Sequence, residues 1–399
     1  MPLTNMIRTT CRMCAGPTQR IIDLGEQPPS NSLLDCPIQP EPKYPLTIII
    51  CQRCALVQAG FDVSPTEIFG VGYPYFSGQS EQWRAHCYKY TQEAVKRLAL
   101  GEGDQVIEIG GNDGTLLQYF PKGVRTLNAE PSASVANAAI KAGVETQITP
   151  FESKYVWPKA DLIIANNVLA HTPDPEDMVK AVAETLKIHG VLTVEFPWIV
   201  HTIEQTQFDT MYHEHYSYLG IMPLQTLMLK HGLIIYDVEH LPFHGGSLRV
   251  WVCRTNYKPD PLRTQAVAEC AVREQALDYS QFAHNAQHIR AEVMRFVDYN
   301  RSSRIYGYAA AAKGNTLLNY CGLTAVDIPM VADTTPAKQG KWLPGSRIPI
   351  VTEDTMLAQH PRFILILAWN WRSEIVAKLR AKGYGGRFVT AIPRLEVFE

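Results

Sequence analysis

The sequence predicts an α/β protein in which a small cysteine-rich module precedes two doubly wound sheets. Between Gln105 and Pro197, short apolar runs alternate with helical stretches, a pattern typical of parallel strands joined by helices. The alternation begins again near Arg304. Two Cys-x-x-Cys pairs lie ahead of both regions. We therefore expect three parts, covering residues 1–72, 73–258 and 259–399.

Composition excludes several classes of function. The 399 residues are 46% hydrophobic and carry a formal net charge of −2, which argues against a protein that coats nucleic acid or an anionic membrane. The opening residues "MPLTNMIRTTCRMC" lack the apolar core of a signal peptide. The runs "LTIII" and "FILILAW" are too short to span a bilayer. We expect a cytoplasmic protein that binds neither nucleic acid nor membrane.

The first element is a cysteine module. Cys11 and Cys14 form one Cys-x-x-Cys pair, and Cys51 and Cys54 form the other, so four thiolates can surround one tetrahedral Zn²⁺. A site closed by four cysteines has no position for water, which favours a structural ion. The alternatives are a redox pair or four buried thiols. The remaining cysteines are interpreted as small core residues: Cys36, Cys87, Cys253, Cys270 and Cys321.

The second element is a glycine-rich turn between the strand "QVIEI" and the helical stretch "TLLQYF". Glu108 and Asp113 flank this turn and would repel a phosphate, whereas they suit a ligand with an amino group and ribose hydroxyls. S-adenosylmethionine (SAM) has both, and Glu130 follows the next strand, where it can accept from the ribose. Another nucleotide is the alternative. The candidate cofactor residues are Glu108, Gly110, Asn112, Asp113, Glu130, Pro131, Ser132 and Asn166.

The strands that follow indicate which type of α/β fold the middle part has. "DLIIANN" and "VLTVEFP" continue the parallel sheet, and "IIYDVEHLPF" with "SLRVWVCR" predicts a closing antiparallel hairpin. This ending is typical of class I SAM-dependent methyltransferases and not of dehydrogenases. The fold expected for residues 73–258 is therefore the Rossmann-like methyltransferase fold.

The chain resembles the bacterial C-methyltransferases that act on nucleotide-linked keto-sugars. The resemblance covers nearly the whole chain and depends on the cysteine doublet together with "EIGGNDGTLL", "EPSASVA", "NNVLAHTPD", "FDTMYHEHYSYL", "HGGSLRVW", "GYAAAAKGNTLLNYCG" and "KQGKWLPG". It implies transfer of a methyl group from SAM to a carbon next to the keto group of a 4-keto-6-deoxysugar carried by a nucleoside diphosphate, at C3 in some members of the family and at other carbons in their relatives. It also implies a monomer with an N-terminal zinc-binding domain.

The stretch "FDTMYHEHYSYL" is predicted to be a loop over the carboxyl edge of the sheet, because a Pro-start and a Gly-stop place the next helix between Pro223 and Gly232. Such a cluster offers a base, a carboxylate and phenols, which are the groups needed to form an enolate. The resemblance implies that His215 is the base. It also implies that the following residues contribute to the active site: Tyr212, Glu214, His171 and Tyr75. His213 is interpreted as structural, and a His-x-His metal site is the alternative.

The last third contains one or two long helices and then a second, smaller α/β unit. Its first turn is built from alanines, in "GYAAAAKG", where the family has a glycine and a proline. Lys313 stands at a predicted helix N-terminus, where it could meet a diphosphate, although a solvated lysine is the alternative. The candidate substrate residues are Asn167, Lys313, Lys338 and Trp342. We expect the substrate to lie between the packed parts.

Two alternatives to a C-methyltransferase remain open from the sequence. The first is an O- or N-methyltransferase on the same fold, which needs a base but no enolate. The second is a zinc-ribbon binding protein with a degenerate methyltransferase domain, which would need a basic surface that the composition does not indicate.

Overall fold

The computed structural model describes residues 5–68, 76–256 and 261–399. Its N-terminal part is built on an antiparallel sheet. The elements of this part are β1 (Met6–Ile7), β2 (Thr18–Gln27), β3 (Tyr44–Cys51), β4 (Val57–Ala59), β5 (Phe61–Asp62) and α1 (Pro65–Ile68). Thr18 pairs with Cys51 between β2 and β3, so the Cys-x-x-Cys turn before β2 lies beside the one that follows β3.

The middle part contains the large sheet. Its elements are α2 (Glu81–Leu98), β6 (Gln105–Ile109), β7 (Arg125–Ala129), α3 (Ala133–Lys141), β8 (Thr146–Gln147), β9 (Ala160–Asn166), α4 (Pro175–Thr185), β10 (Leu186–Pro197), α5 (Ile199–Glu204), β11 (Ser217–Tyr218), α6 (Ile221–Lys230), β12 (Leu233–Leu241) and β13 (Ser247–Arg254). Local capping fixes several helix starts. Ser80 accepts a hydrogen bond from the backbone of Trp83 at the start of α2, and Asp174 caps α4 ahead of Pro175.

The seven strands of this sheet are ordered β12-β13-β10-β9-β6-β7-β8. Strands β8, β7, β6, β9 and β10 are parallel, and β13 is antiparallel to both β10 and β12. The predicted closing hairpin is therefore confirmed. The carboxyl ends of β6, β7, β9 and β10 meet at one edge, which is where ligands bind in such sheets.

The C-terminal part has a second, smaller sheet. The elements are α7 (Pro261–Gln275), α8 (Tyr279–Tyr299), β14 (Ile305–Tyr308), α9 (Ala312–Cys321), β15 (Val331–Ala332), β16 (Ile350–Val351), α10 (Glu353–Leu357), β17 (Phe363–Ile366), α11 (Arg372–Ala381), β18 (Arg387–Thr390) and β19 (Glu396–Phe398). The strand order is β16-β15-β14-β17-β18-β19, and the sheet is parallel except for the antiparallel edge strand β19. The predicted α/β class is confirmed. Within the described residues, no helix is both long and apolar enough to cross a membrane.

Two details differ from the sequence prediction, and the alanine turn has an unusual backbone conformation. Helix α6 covers Ile221–Lys230, so Pro223 lies inside its first turn and Gly232 lies beyond its end. Cys36 is exposed and is not the core residue that we expected, because it lies in a surface loop between β2 and β3. In the alanine turn after β14, Ala309 adopts a left-handed φ of 73°, a conformation that glycine would adopt more easily.

Candidate active site

The loop from Trp198 to Gly220 contains the predicted catalytic base, and we call it the catalytic loop for that reason. It leaves β10 and ends at α6. It includes the short helix α5 and the strand β11. Strand β11 pairs with β4 of the N-terminal part, so this loop adds a strand to the cysteine module's sheet. The backbone amide of Ala59 also donates to the carbonyl of Tyr216 at 3.1 Å. The loop is therefore held by backbone hydrogen bonds and does not lie freely over the sheet.

Glu274 of α7 fixes both ends of the catalytic loop. Its carboxylate accepts hydrogen bonds from Trp198 Nε1 at 2.7 Å, from the Ile221 amide at 2.6 Å and from the Met222 amide at 3.0 Å. The last two are N-terminal amides of α6, where a carboxylate is favourable. Because one side chain binds the first residue of the loop and the helix that follows it, the loop begins and ends at fixed points.

His215 is held in one tautomer. Its Nδ1 lies 2.8 Å from the carbonyl oxygen of Thr210, which can only accept, so Nδ1 carries the proton. In the neutral ring the lone pair is then on Nε2. The hydroxyl of Tyr212 lies 3.0 Å from this nitrogen and donates to it, with the two ring centroids 4.1 Å apart. His215 thus has the geometry of a general base acting through Nε2.

His171 comes from the other side of the site, after β9. Its Nδ1 donates to the backbone carbonyl of Glu214 at 2.8 Å, and its ring centroid is 4.7 Å from that of His215. Burial lowers the pKa of His171, although the hydrogen bond to Glu214 acts in the opposite direction. His171 is therefore neutral near pH 7, with its lone pair on Nε2.

Glu214 is almost completely buried and is bound by the N-terminal part. The backbone amide and the side-chain amide of Asn31 donate to its Oε1 at 3.0 and 3.1 Å. Its Oε2 has no hydrogen-bond partner among the described residues. Burial raises the pKa of Glu214. Burial therefore favours the protonated form of this carboxyl group more than in an exposed glutamate.

The sequence analysis also considered His213 and Tyr75. His213 is buried against Tyr44, with ring centroids 6.0 Å apart, and burial lowers its pKa to about 4. Such a ring stays neutral near pH 7, and neither of its nitrogens has a hydrogen-bond partner among the described residues. Tyr75 lies outside the described residues.

The glycine turn after β6 brings the backbone close to the ligand edge. Gly110 has a left-handed φ of 61°, and a Cβ there would lie 2.7 Å from Val168 Cγ2. A Cβ on Gly111 would lie 2.6 Å from Asn128 Oδ1, which accepts a hydrogen bond from the Gly111 amide at 3.0 Å. A side chain at either position would collide with the protein, so glycine allows the turn to pack closely against Val168 and Asn128.

Carboxylates surround this turn. Glu108 is buried and its Oε2 has no partner among the described residues. Burial and the charges of Asp113 and Glu130 raise the pKa of Glu108 to about 8. Glu130 accepts from the amides of Asn112 at 3.1 Å and Ser132 at 2.7 Å, which orient it at the end of β7. Pro131 lies between Glu130 and Ser132, at the start of α3.

Asp113 faces the protein itself. Its Oδ1 accepts from Ser77 Oγ at 3.0 Å, and its Oδ2 accepts from the Gly78 amide at 2.9 Å. Asn112 Oδ1 accepts from the Ser77 amide at 3.0 Å. These two side chains therefore anchor the segment before α2 over the cofactor edge.

Asn166 and Asn167 end strand β9 at the same edge. Both side-chain atoms of Asn166 and the Oδ1 of Asn167 are buried without a partner among the described residues. Unpaired buried amides are costly, so they indicate a polar ligand. Together with the unpartnered Glu108 and the glycine turn, they fit SAM, which offers an ammonium group, hydroxyls and an adenine ring.

The cysteine module fits a zinc ion. The four sulfur atoms lie within 4.8 Å of one another, with Cys11 to Cys54 at 3.6 Å and Cys14 to Cys51 at 3.4 Å. Tetrahedral zinc with bonds of about 2.3 Å places sulfurs about 3.8 Å apart. The hydrogen bond with Cys54 lowers the pKa of the Cys11 thiol and raises that of Cys54. The predicted four-cysteine cluster is confirmed.

On the other side of the catalytic loop, the C-terminal part contributes Lys313. Its Nζ donates to Asn370 Oδ1 at 2.8 Å and lies 4.6 Å from the centroid of the Trp369 ring. Burial lowers its pKa, although the Asp209 carboxylate acts in the opposite direction. Asp209, in the catalytic loop, accepts from Trp369 Nε1 at 2.7 Å. Lys313 is thus close to this loop.

Trp369 and Asn370 also line an open cavity of about 610 Å³ beside the hairpin of β12 and β13. The other lining residues come from α5 and from the end of β12 with its turn: His201, Gln205, His240, Leu241, Pro242, Gly245 and Gly246. The cavity can hold a ligand of nucleotide size.

The two other expected substrate residues make contacts within the protein. Lys338 Nζ donates to the Ala310 carbonyl at 2.8 Å, beside the alanine turn. Trp342 exchanges backbone hydrogen bonds of 2.9 Å with Leu34, so it joins the C-terminal part to the N-terminal part. The structure therefore assigns Trp342 a contact between parts of the chain.

Comparison with known proteins identifies the family. Models of a putative zinc binding domain, a methyltransferase domain and a C-methyltransferase C-terminal domain match residues 11–69, 83–238 and 242–393. The chain is also 32% identical to the C-methyltransferase NovU of Streptomyces niveus, over 97% of this chain and 96% of that protein. The chain belongs to the C-methyltransferase family. This C-methyltransferase uses SAM, and its four-cysteine module binds zinc.

Solved structures resemble part of this C-methyltransferase. A SAM-dependent methyltransferase from Clostridium acetobutylicum is 13% identical with a TM-score of 0.37, covering 43% of this chain and 92% of that chain. A SAM-dependent methyltransferase from Thermotoga maritima, described as a possible histamine N-methyltransferase, is 22% identical with a TM-score of 0.36, covering 45% and 96%.

Sequence reasoning did not identify several residues that shape the site. Asn31 and Arg12 lie in the cysteine module, far along the chain from the residues that they contact. Asp209 lies in the quoted loop motif, but nothing in that motif distinguishes it. Asn128 could have been found, because it is a polar residue inside an apolar strand, two positions before Glu130.

Proposed function

We propose that this C-methyltransferase methylates C3 of a 4-keto-6-deoxysugar linked to a nucleoside diphosphate, in the biosynthesis of a branched deoxysugar. The observation that carries the proposal is the His215 tautomer. A neutral imidazole presents Nε2 beside a phenol and a second histidine, at the sheet edge that also carries the cofactor residues. This arrangement is suited to removing a proton from carbon, which O- and N-methylation do not need.

The energetics of the step require more than a base. The pKa of a proton next to a ketone exceeds that of imidazolium by roughly ten units, at about 1.4 kcal/mol each. A base alone cannot supply this difference, so hydrogen-bond donors must stabilise the enolate oxygen in a site that excludes water. The burial of Glu214 and of the loop around it supports such an environment.

We assign the proton movements as follows. Nε2 of His215 takes the C3 proton, while the Nδ1–H bond to Thr210 stabilises the imidazolium that results. When the sugar binds, the Tyr212 hydroxyl turns its hydrogen from Nε2 to the ketone oxygen, which frees the Nε2 lone pair for the C3 proton and stabilises the enolate oxygen as it forms. His171, neutral with its lone pair on Nε2, accepts from a sugar hydroxyl and orients the ring. SAM, when bound, supplies an electrophilic sulfonium methyl group for the carbon nucleophile.

The remaining site residues are assigned by their chemistry. Glu108 would receive the ammonium group of SAM, and Glu130 would receive the ribose hydroxyls. Lys313, beside the 610 Å³ cavity, would bind the diphosphate of the substrate, with Asn167 and Lys338 nearer to the sugar and to the alanine turn. We propose functional domains at 1–72, 73–258 and 259–399. We also propose a cytoplasmic monomer that binds a small-molecule nucleotide sugar and no nucleic acid.

The test uses the purified full chain with SAM and a panel of dTDP- and GDP-linked 4-keto-6-deoxysugars. Mass spectrometry should detect the gain of one methyl group on at least one of them. In deuterated solvent, the C3 proton of that sugar should exchange even when no methyl group is transferred. The His215→Ala variant should lose at least about 100-fold in exchange rate and in turnover.

His213→Phe is the matched control, because it changes the other histidine of the same motif at a position where the ring packs against Tyr44. It should keep the exchange rate within a few-fold of the wild type. Full activity in folded His215→Ala would refute the mechanism. Methylation of oxygen or nitrogen without any exchange at carbon would refute the proposed reaction.

A further inference from the structure

Arg12 lies inside the first zinc-binding turn and is itself buried, with 1% of its side chain exposed. Its backbone amide donates to Gln58 Oε1 at 3.0 Å, and its Nη2 donates to Asp62 Oδ1 at 2.7 Å. The turn that holds Cys11 and Cys14 therefore fixes the base of this arginine. The direction of its guanidinium group follows from the geometry of the turn.

The same guanidinium contacts both segments that carry the proposed histidines. Nη1 donates to the carbonyl of Pro173 at 3.1 Å, two residues after His171. On the other side, the guanidinium carbon lies 5.3 Å from the centroid of the Tyr216 ring, one residue after His215. That distance is in the range of a cation–π contact.

Tyr216 is fixed from the same part of the chain. Its hydroxyl donates to the carbonyl of Val63 at 2.6 Å, and its own carbonyl accepts from Ala59 at 3.1 Å. The ring therefore cannot turn away from Arg12 without breaking a buried hydrogen bond. Of the residues described around the zinc-binding turns, Arg12 joins the two histidine segments through a single side chain.

We propose that Arg12 is a positioning residue for catalysis, which sets the distance between His171 and His215 from the zinc-binding turn. This inference rests on the proposed function of the two histidines. Reacting groups must be placed to within a fraction of an ångström, and a displacement of about 1 Å can cost about 100-fold in rate. A planar guanidinium can bind Asp62 and Pro173 while its face covers Tyr216, whereas a lysine ammonium cannot make all three contacts.

Arg8 provides a matched control. Its Nε and Nη2 bind Asp62 Oδ2 at 2.7 and 2.6 Å, so both arginines share one carboxylate. Neither of these contacts of Arg8 reaches the segments that carry His171 and His215. If either arginine is replaced, the other still pairs with Asp62, so the buried carboxylate keeps a positively charged partner.

The experiment compares Arg12→Lys and Arg12→Gln with Arg8→Lys in the zinc-loaded full chain. Zinc content, thermal unfolding, kcat, KM for the nucleotide sugar and the rate of C3 proton exchange are measured for each. We expect all three variants to keep one zinc and a KM within about threefold of the wild type. The Arg12 variants should lose about 10- to 100-fold in kcat and in exchange rate, while Arg8→Lys keeps both.

Two results would overturn the inference. The first is a kcat of both Arg12 variants equal to that of Arg8→Lys. The second is a loss of zinc in both Arg12 variants in proportion to the loss of activity, since the arginine would then serve only the metal fold. The His215→Ala variant separates the two proposals. If it remains fully active, the proposed function fails. If it is inactive while the Arg12 variants match the control, only the role of Arg12 fails.

Discussion

Glu108 makes a prediction about how cofactor binding depends on pH. The carboxyl is buried, its Oε2 has no partner among the described residues, and burial with the charges of Asp113 and Glu130 raises its pKa to about 8. In the ligand-free protein at pH 6 to 7, Glu108 therefore holds a proton. An ammonium group that binds there favours the ionised form, so binding must release that proton.

Proton linkage gives the direction and the size of the effect of pH on SAM binding. As the pH rises toward 8, the affinity for SAM should increase, because ionising Glu108 then costs less free energy. Below that point the dissociation constant should change about tenfold per pH unit, or about 1.4 kcal/mol. The amino group of the ligand, with a pKa of about 7.8, stays charged between pH 6 and 7 and does not obscure the effect.

Calorimetry at pH 6 and pH 7 measures this directly. In two buffers with different ionisation enthalpies, the apparent binding enthalpies should differ by the amount expected for the release of about one proton. The Glu108→Gln variant keeps the shape of the side chain and should bind more weakly, with no pH dependence in this range. An unchanged wild-type affinity between pH 6 and 7, or a slope retained in the glutamine variant, would refute the assignment of Glu108 to the ammonium group.

Two further predictions concern the N-terminal part. Replacing Cys14 by serine should remove zinc, measured by atomic absorption, and should lower the unfolding temperature. Serine at the exposed Cys36 should change neither the zinc content nor the unfolding temperature. A Cys14 variant that keeps its zinc would contradict the closed site. Asn31→Ala removes one of two hydrogen bonds to Glu214 and should cost about 1.5–3 kcal/mol in the free energy of unfolding, together with a lower kcat. Equal stability and kcat in the alanine variant would show that this contact is not needed.

The fold could be predicted from the sequence where local pattern decides structure. Runs such as "QVIEI" and "SLRVWVCR" became β6 and β13 because apolar and β-branched residues at these lengths favour strands, and glycine turns separate them. The two Cys-x-x-Cys turns could be assigned to a single zinc site because the chemistry of the metal requires four ligands. In each of these cases, the information lies within a few residues or in the identity of the ligands.

The arrangement of the site could not be predicted in this way, since its contacts join distant segments. Asn31 meets Glu214 across 183 positions, and Trp369 meets Asp209 across 160. No periodicity within either segment encodes its partner. The two-residue strand β11 is equally hidden, because it is a strand only through its pairing with β4. Tertiary contact overrides local propensity at such places.

The contacts that hold the catalytic loop give a reason why the chain has both an N-terminal and a C-terminal part beside the methyltransferase sheet. The N-terminal part pairs with β11 and binds Glu214, and the C-terminal part binds the loop through Trp369 to Asp209 and through Thr316 Oγ1 to the Met211 carbonyl at 3.3 Å. An enolate needs fixed donors and little water, and a loop anchored from one side would meet neither need. Each flanking part closes one side of the loop and supplies partners for polar groups that this closure buries. Under the proposed function, the zinc ion would contribute to catalysis without contacting substrate, because it maintains the module on which one side of the loop depends.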